Sequence, residues 1–395
     1  MSSLPPFLSS PLSSSSPAFL LFLFVIVAVL LIQINRRTGS SPAAPGPPPA
    51  RGSIPCLPWL PVAGSLPWLG GGRPGSQAKE VLLQKGRDFA GRPTMVTTDL
   101  LTRGGKDIAF SDYSLLWKRH RRLVHNSFTL FGEGSDLLFL CPVLSSVDAL
   151  CVELLSGRKR GFDPSPAVTR AVTNVVCMLV FNTTYRHGDA ELQEVIRYND
   201  GIVETITRGG LVDIYPWMKD RVQKELDDCV GSERPVCLSD RSRLPYLDCV
   251  INEGMRIRPV SPILIPHIAM THSSIGGHSV SQGTRVLVNM WSIHHDTEHW
   301  DKPDIFNPDR FLNDQGQRVI PPCFLPFGAG PRVCVGESLA RLELFMFLSS
   351  LLQRLSFRLP DGAPPPNLQG RLGVVLQPLP YEVVVTPRAG WKNSV

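Results

Sequence analysis

The decapeptide Phe327-Gly328-Ala329-Gly330-Pro331-Arg332-Val333-Cys334-Val335-Gly336 constrains this chain more than any other stretch. Three glycines and a proline crowd one cysteine, so the backbone must turn tightly there. Arg332 precedes the sulfur by two residues, and an apolar, helix-like run from Leu339 to Leu355 follows. Such a loop is expected to turn backbone N–H groups and a cationic side chain toward the sulfur. That setting lowers a thiol pKa and suits the thiolate to metal ligation. A lone cysteine would more simply be an inert core residue. The whole decapeptide argues for a ligand.

The rest of the composition narrows the setting. Nine cysteines are scattered without a C-x-x-C pair, which removes a zinc ribbon or a dithiol redox centre. A disulfide framework is not expected in a chain of 395 residues, so a reducing compartment fits. A formal charge of +6 is modest for this length and argues against nucleic acid as the main partner. Ala18 to Ile32 is uninterrupted and apolar, and Gln33-Ile34 extends it. Arg36 and Arg37 follow, with no Lys or Arg before it. The stretch is expected to be a transmembrane signal anchor, residues 1–37, with the body in the cytosol. Residues 38–75, rich in Pro, Gly and Ser, read as a stiff linker, and 76–395 as the globular body.

Helical patterns dominate that body. Asp112 is placed to cap a helix that carries Trp117 and Arg121 on one face. Helical material from Pro164 to Leu192 breaks around Asn182-Thr183-Thr184. Pro245 to Ile257 reads as a helix with Pro at its start and Pro259 just past its end. Ser279 to Val288 and Tyr381 to Thr386 read as strands. His295 and His299 have a spacing usable for zinc, but Asp296 stands where an H-E-x-x-H motif needs Glu, so an ordinary exposed segment is expected.

The spacing F-x-x-G-x-R-x-C-x-G resembles the haem-binding loop of the cytochrome P-450 monooxygenases. The resemblance implies a mainly α fold with a small β-sheet, haem b as cofactor, and Cys334 as the axial thiolate on iron. Glu253 and Arg256, at i and i+3, together with Arg310 in Asn307-Pro308-Asp309-Arg310-Phe311, resemble the family's Glu-Arg-Arg triad. By the same resemblance Arg92, Trp117, Arg121, His267 and Arg332 would bind the haem propionates. Within the family, Asp88-Phe89-Ala90-Gly91-Arg92-Pro93, Arg258-Pro259-Val260 and Leu264-Ile265-Pro266-His267 resemble the steroid 17α-hydroxylase/17,20-lyase group, with the 21-hydroxylases next. This implies hydroxylation of progesterone or pregnenolone. It makes Asn199 a polar anchor for the steroid and Ala109, Phe110, Val260, Ser261, Val374 and Val375 its pocket wall. It also implies the endoplasmic reticulum membrane as location, with NADPH–cytochrome P-450 reductase and cytochrome b5 as partners. Arg241 and Arg341 match basic positions that meet redox partners. Asn252 stands where the lyase-supporting pattern has another Arg.

The resemblance breaks in two places. One block is missing before Ala78. The other, between Lys219 and Asp220, takes with it the helix that carries an A-G-x-x-T-type motif, and no Ala-Gly followed by an acid and Thr occurs anywhere in the chain. In the family its acid–alcohol pair acts as general acid during oxygen activation, and the helix roofs the steroid pocket. No catalytic residue is therefore assigned. Two functions follow from this sequence: a steroid monooxygenase, or a shortened, impaired chain that serves as a membrane-tethered partner.

Overall fold

The computed structural model describes residues 74–94, 102, 107–130, 137–156, 161–186, 188–190, 192, 216–364, 370–372 and 375–389. The expected anchor over Ala18 to Ile34 lies outside the described residues, as does the linker up to residue 73. Among the described residues no helix is long and apolar enough to cross a membrane. The linker's expected end is two residues late, because helix α1 (Pro74–Lys79) already begins at its proline and runs into a π-type turn, Glu80–Gln84.

Seven further helices follow among the described residues: α2 (Leu115–Leu130), α3 (Leu137–Ser156), α4 (Ser165–Phe181), α5 (Pro216–Cys229), α6 (Pro245–Ile257), α7 (Met290–His294) and α8 (Glu337–Arg354). Local chemistry sets their ends. The Asp163 carboxylate accepts from Ser165 N–H at the start of α4, and Asn182, at φ 52°, stops the helix in the left-handed conformation that Asn tolerates. Glu225 on α5 accepts from the first N–H groups of α6, Tyr246 at 2.8 Å and Leu247 at 2.9 Å, which pins the two helices together. The cap of α2 is not Asp112, as the sequence suggested, but Ser114, whose hydroxyl accepts from Trp117 N–H at 3.0 Å. Asp112 lies a residue pair too early and accepts from Arg92 N–H instead.

The sheet content is minor, as expected, and falls into two-stranded antiparallel pairs. These are β1 (His267–Ile268) with β4 (Arg285–Val286), β2 (Ser273–Ile275) with β3 (His278–Val280), β5 (Leu355–Arg358) with β8 (Val384–Pro387), and β6 (Arg371–Leu372) with β7 (Leu376–Gln377). The single strand expected over Ser279 to Val288 is cut by a turn at Gly283, φ 82°, so its halves join different sheets.

Helix α8 is the spine. Its hydrophobic residues point all round, which marks a buried helix. Leu342, Phe345, Met346 and Leu352 pack with Val143, Val147 and Leu150 of α3, Val222 and Leu226 of α5, and Leu247 of α6 in one core. A smaller core joins Val81 and Leu82 to Phe89, Ala269, Met290 and Ala329.

The expected triad is formed. Arg256 grips Glu253 with Nε and Nη2 at 2.7 and 2.8 Å, and both residues are fully buried. Arg310 Nε reaches Glu253 Oε1 at 3.4 Å, and Asn307 N–H donates to the same oxygen at 2.8 Å. Arg256 also donates to the carbonyls of His294 and Pro303. Arg256→Leu would leave the Glu253 charge buried without its bidentate partner, so it should cost ~3–5 kcal/mol in urea unfolding. The Glu253→Leu/Arg256→Leu double variant should lose less than the single. A single-variant loss below ~1 kcal/mol would contradict this account.

Candidate functional site

The loop before α8 is held by its own backbone and by a distant turn. Cys334 N–H donates to Phe327 O at 2.9 Å, and Val333 N–H to Gly330 O at 3.0 Å. Gly330 has φ 70°, and a Cβ there would stand 1.8 Å from the Leu82 carbonyl oxygen, so only glycine fits. The loop thus rests on the Glu80–Gln84 turn. Its approach is fixed from the triad. His294, whose carbonyl Arg256 holds, accepts from Leu325 N–H at Nε2, 3.1 Å, two residues before Phe327. Cys334 itself is exposed and opens onto a cavity of about 1470 Å³.

Arg92, Arg121, Arg332 and His267 line the same cavity. Arg332 was expected to be the cation beside the sulfur; that place falls to Arg121. Arg121 Nη2 donates to Val333 O, next to Cys334, and the sulfur favours its charged form while burial pulls its pKa down. Arg332 turns toward Ala90 O (2.7 Å) and Ser111 O (3.0 Å) and lies 4.0 Å over the Trp117 ring. Its Nη1 is buried with no hydrogen-bond partner among the described residues. Burial and the Arg121 charge pull Arg332 down to about 10, against Asp112, which raises it. Burial and the charges of Arg332 and Arg121 pull Arg92 down to about 9. Three half-buried guanidiniums, with Arg121 depressing both of the others and one N–H of Arg332 orphaned, make a site built for anions.

Two expected propionate ligands already have backbone partners. Trp117 is buried, gives its indole N–H to Ile108 O at 2.9 Å, and offers its ring to the guanidiniums of Arg121 and Arg332. His267 Nδ1 bonds Phe89 O at 2.7 Å, and burial with the Arg92 charge pulls it down to about 4. Donating Nδ1–H leaves Nε2 as an acceptor, which suits a carboxylate only after protonation.

Of the expected pocket wall, Ala109, Val260 and Ser261 line the cavity with Cys334; Phe110 and Val375 do not. Asn199 and Val374 lie outside the described residues. Arg241 and Arg341 are not free cations for a redox partner. Arg241 pairs with buried Asp248 at 3.0 Å. Arg341 pairs with Glu337 at 2.8 Å and reaches the buried Asn252 Oδ1 at 3.3 Å. His295 and His299 are also engaged separately, with Trp291 O and with Asp296. Sequence reasoning missed the buried link through His294 and the buried acid Glu343 on the cavity wall, which burial pushes up to about 7.

The orphaned Arg332 Nη1, the guanidinium cluster and the exposed thiol fit a metal-bearing ring with carboxylate arms. A carboxylate accepting from Arg332 is a charge-assisted bond worth ~1.5–3 kcal/mol. Arg332→Gln should therefore weaken haemin binding by roughly 10- to 100-fold in an absorbance titration; unchanged affinity would remove Arg332 from the site.

His294 is held neutral, down to about 3, first by burial and then by the Arg256 charge. Its folded value lies below the ordinary ~6.5 of an unfolded histidine. The native state then binds fewer protons, and the stability His294 contributes is present above ~6.5 and lost as pH falls toward the folded value. Glu343, raised, works in the opposite sense between ~4.5 and 7. In His294→Asn the fall in unfolding free energy from pH 7.5 to 5.5 should shrink by about 1 kcal/mol relative to the wild type. An unaltered pH dependence would count against this assignment.

A family model, Cytochrome P450, matches residues 75–220 and 210–385. A steroid 17-alpha-hydroxylase/17,20 lyase from Ictalurus punctatus is 39% identical over 423 positions, covering 80% of this chain and 82% of that protein. Its counterpart from Gallus gallus is 38% identical, covering 80% and 83%. Since 80% of 395 residues is about 316, about a quarter of the 423 aligned positions face no residue of this chain. The two family-model stretches meet at 210–220, around the break at Lys219 and Asp220. A solved zebra fish cytochrome P450 structure with progesterone superposes with a TM-score of 0.72 at 51% identity, covering 79% of this chain and 92% of that one.

Proposed function

This chain belongs to the cytochrome P450 family, and we propose that it is a haem-thiolate protein of the steroid 17α-hydroxylase type that keeps the cofactor-holding half and has lost the oxygen-activating roof. The observation that carries this reading is the exposed Cys334 opening onto one cavity with Arg92, Arg121 and Arg332. Cys334 ligates the iron of haem b. Arg332, Arg121 and Arg92 hold its carboxylates. A haem so bound supplies oxygen activation, one oxygen atom going to a steroid C–H bond and the other to water with two electrons from NADPH through a reductase.

The chain's own part is positioning. Ala109, Val260 and Ser261 present a mostly apolar wall to a steroid, and Asn199 is the proposed polar anchor. The progesterone in the zebra fish relative supports a progestogen as substrate. The segment Ala18 to Ile34 tethers the body to the endoplasmic reticulum, on its cytosolic side. Because Arg241 and Arg341 are tied down, we assign the contact with reductase or cytochrome b5 to the exposed Lys118, Arg119 and Arg122 of α2. No residue replaces the absent acid–alcohol pair, and a steroid missing one wall loses orientation, which supplies ~7–11 kcal/mol of barrier lowering where it is complete.

Reduced, CO-treated protein should give the thiolate-type Soret band, and Cys334→Ser should abolish it. In reductase-containing microsomes, progesterone 17α-hydroxylation by the 395-residue chain should be at least ~100-fold below that of a version with the relatives' segment restored between Lys219 and Asp220. Equal Soret spectra would sink the ligand assignment, and equal turnover the account of the missing roof.

A further inference from the structure

Glu343 has no role in holding the thiolate loop or the cations. It lies on α8, six residues beyond Glu337, roughly 9 Å along the helix axis. It is 9% exposed, it lines the large cavity, and its Oε1 has no hydrogen-bond partner among the described residues. Other buried acids here face arginine: Asp240 meets Arg234, Asp248 meets Arg241, and Glu253 meets Arg256. For Glu343, burial pushes the pKa up, and no arginine pairs with it among the described residues. A buried acceptor left unmade costs ~1–3 kcal/mol, and more when charged. That cost is relieved by whatever brings a donor, and most by one that brings a positive charge.

The surroundings define the rest of such a ligand. Phe347, at i+4, shares the helix face of Glu343. Leu344 and Leu348 of α8 and Val250 and Met255 of α6 line the same cavity. We propose that Glu343 and these apolar side chains form a second ligand subsite, which takes a hydrophobic amine. The ammonium N–H donates to Oε1, and the alkyl body lies against α8 and α6. The guanidinium cluster elsewhere in the cavity reinforces the choice, since it attracts carboxylates and repels ammonium. A neutral alcohol can donate to Glu343 but brings no charge to offset a buried carboxylate.

The test uses the full haem-loaded chain and titrates N,N-dimethylhexylamine, hexanol and hexanoate by calorimetry, with the Soret band recorded on the same samples. Wild type should bind the amine at least tenfold more tightly than hexanol, and hexanoate no better than hexanol at Glu343. Glu343→Gln should lose that tenfold and keep its hexanol affinity. Equal affinities for amine and alcohol in the wild type would overturn the proposal, whatever the variant does. So would an amine affinity unchanged in Glu343→Gln, or a loss of hexanol binding along with it, which would make shape rather than charge the basis of the site. A nitrogen-type Soret shift that survives Glu343→Gln would put the amine on iron and overturn it as well. Steroid turnover enters none of these readouts, so this proposal and the one on hydroxylation fail separately.

Discussion

Glu253 and Arg256 are fully buried, and either charge alone would be far more costly than the pair. What the pair provides is geometry. Each partner spends its remaining hydrogen-bonding capacity on backbone from elsewhere in the chain: Asn307 N–H on Glu253, and the carbonyls of His294 and Pro303 on Arg256. His294 passes this order on through Leu325 N–H to the start of the cysteine loop. The sulfur's position is thus set from α6 by a chain of hydrogen bonds, with no contact between the triad and the sulfur itself.

The features legible in the sequence are those with local causes. Pro245 and Pro259 bracket α6, and the structure closes that helix at Ile257. The glycines of the loop announce turns that side chains would block, and Gly330 proves to be one. The illegible features depend on partners far away in sequence. Arg241 and Arg341 look like surface cations until Asp248 and Glu337 are seen beside them. Trp117 looks like a donor until Ile108 takes its N–H. Glu343, in Leu342-Glu343-Leu344, carries no mark of burial, because nothing nearby in sequence says which face of α8 is covered. Two-residue strands such as β1 and β4 are beyond any periodicity argument.

The cavity brings together the two halves of the functional reading. Its cations and thiol are those of a proximal cofactor site. Its apolar lining, with the stretch along α8 and α6, is where the proposed steroid and amine readings lie.

The contact between Gly330 and Leu82 sets a condition on how the site comes into being. The two residues are about 250 positions apart, and their backbones meet more closely than any side chain at 330 would permit. A contact of such sequence separation carries a loop-closure entropy that local helices do not. The thiolate loop acquires its final shape only once the first described turn has docked against it. A cofactor that needs the finished loop, as the family's haem does, then also needs these two distant stretches to have met.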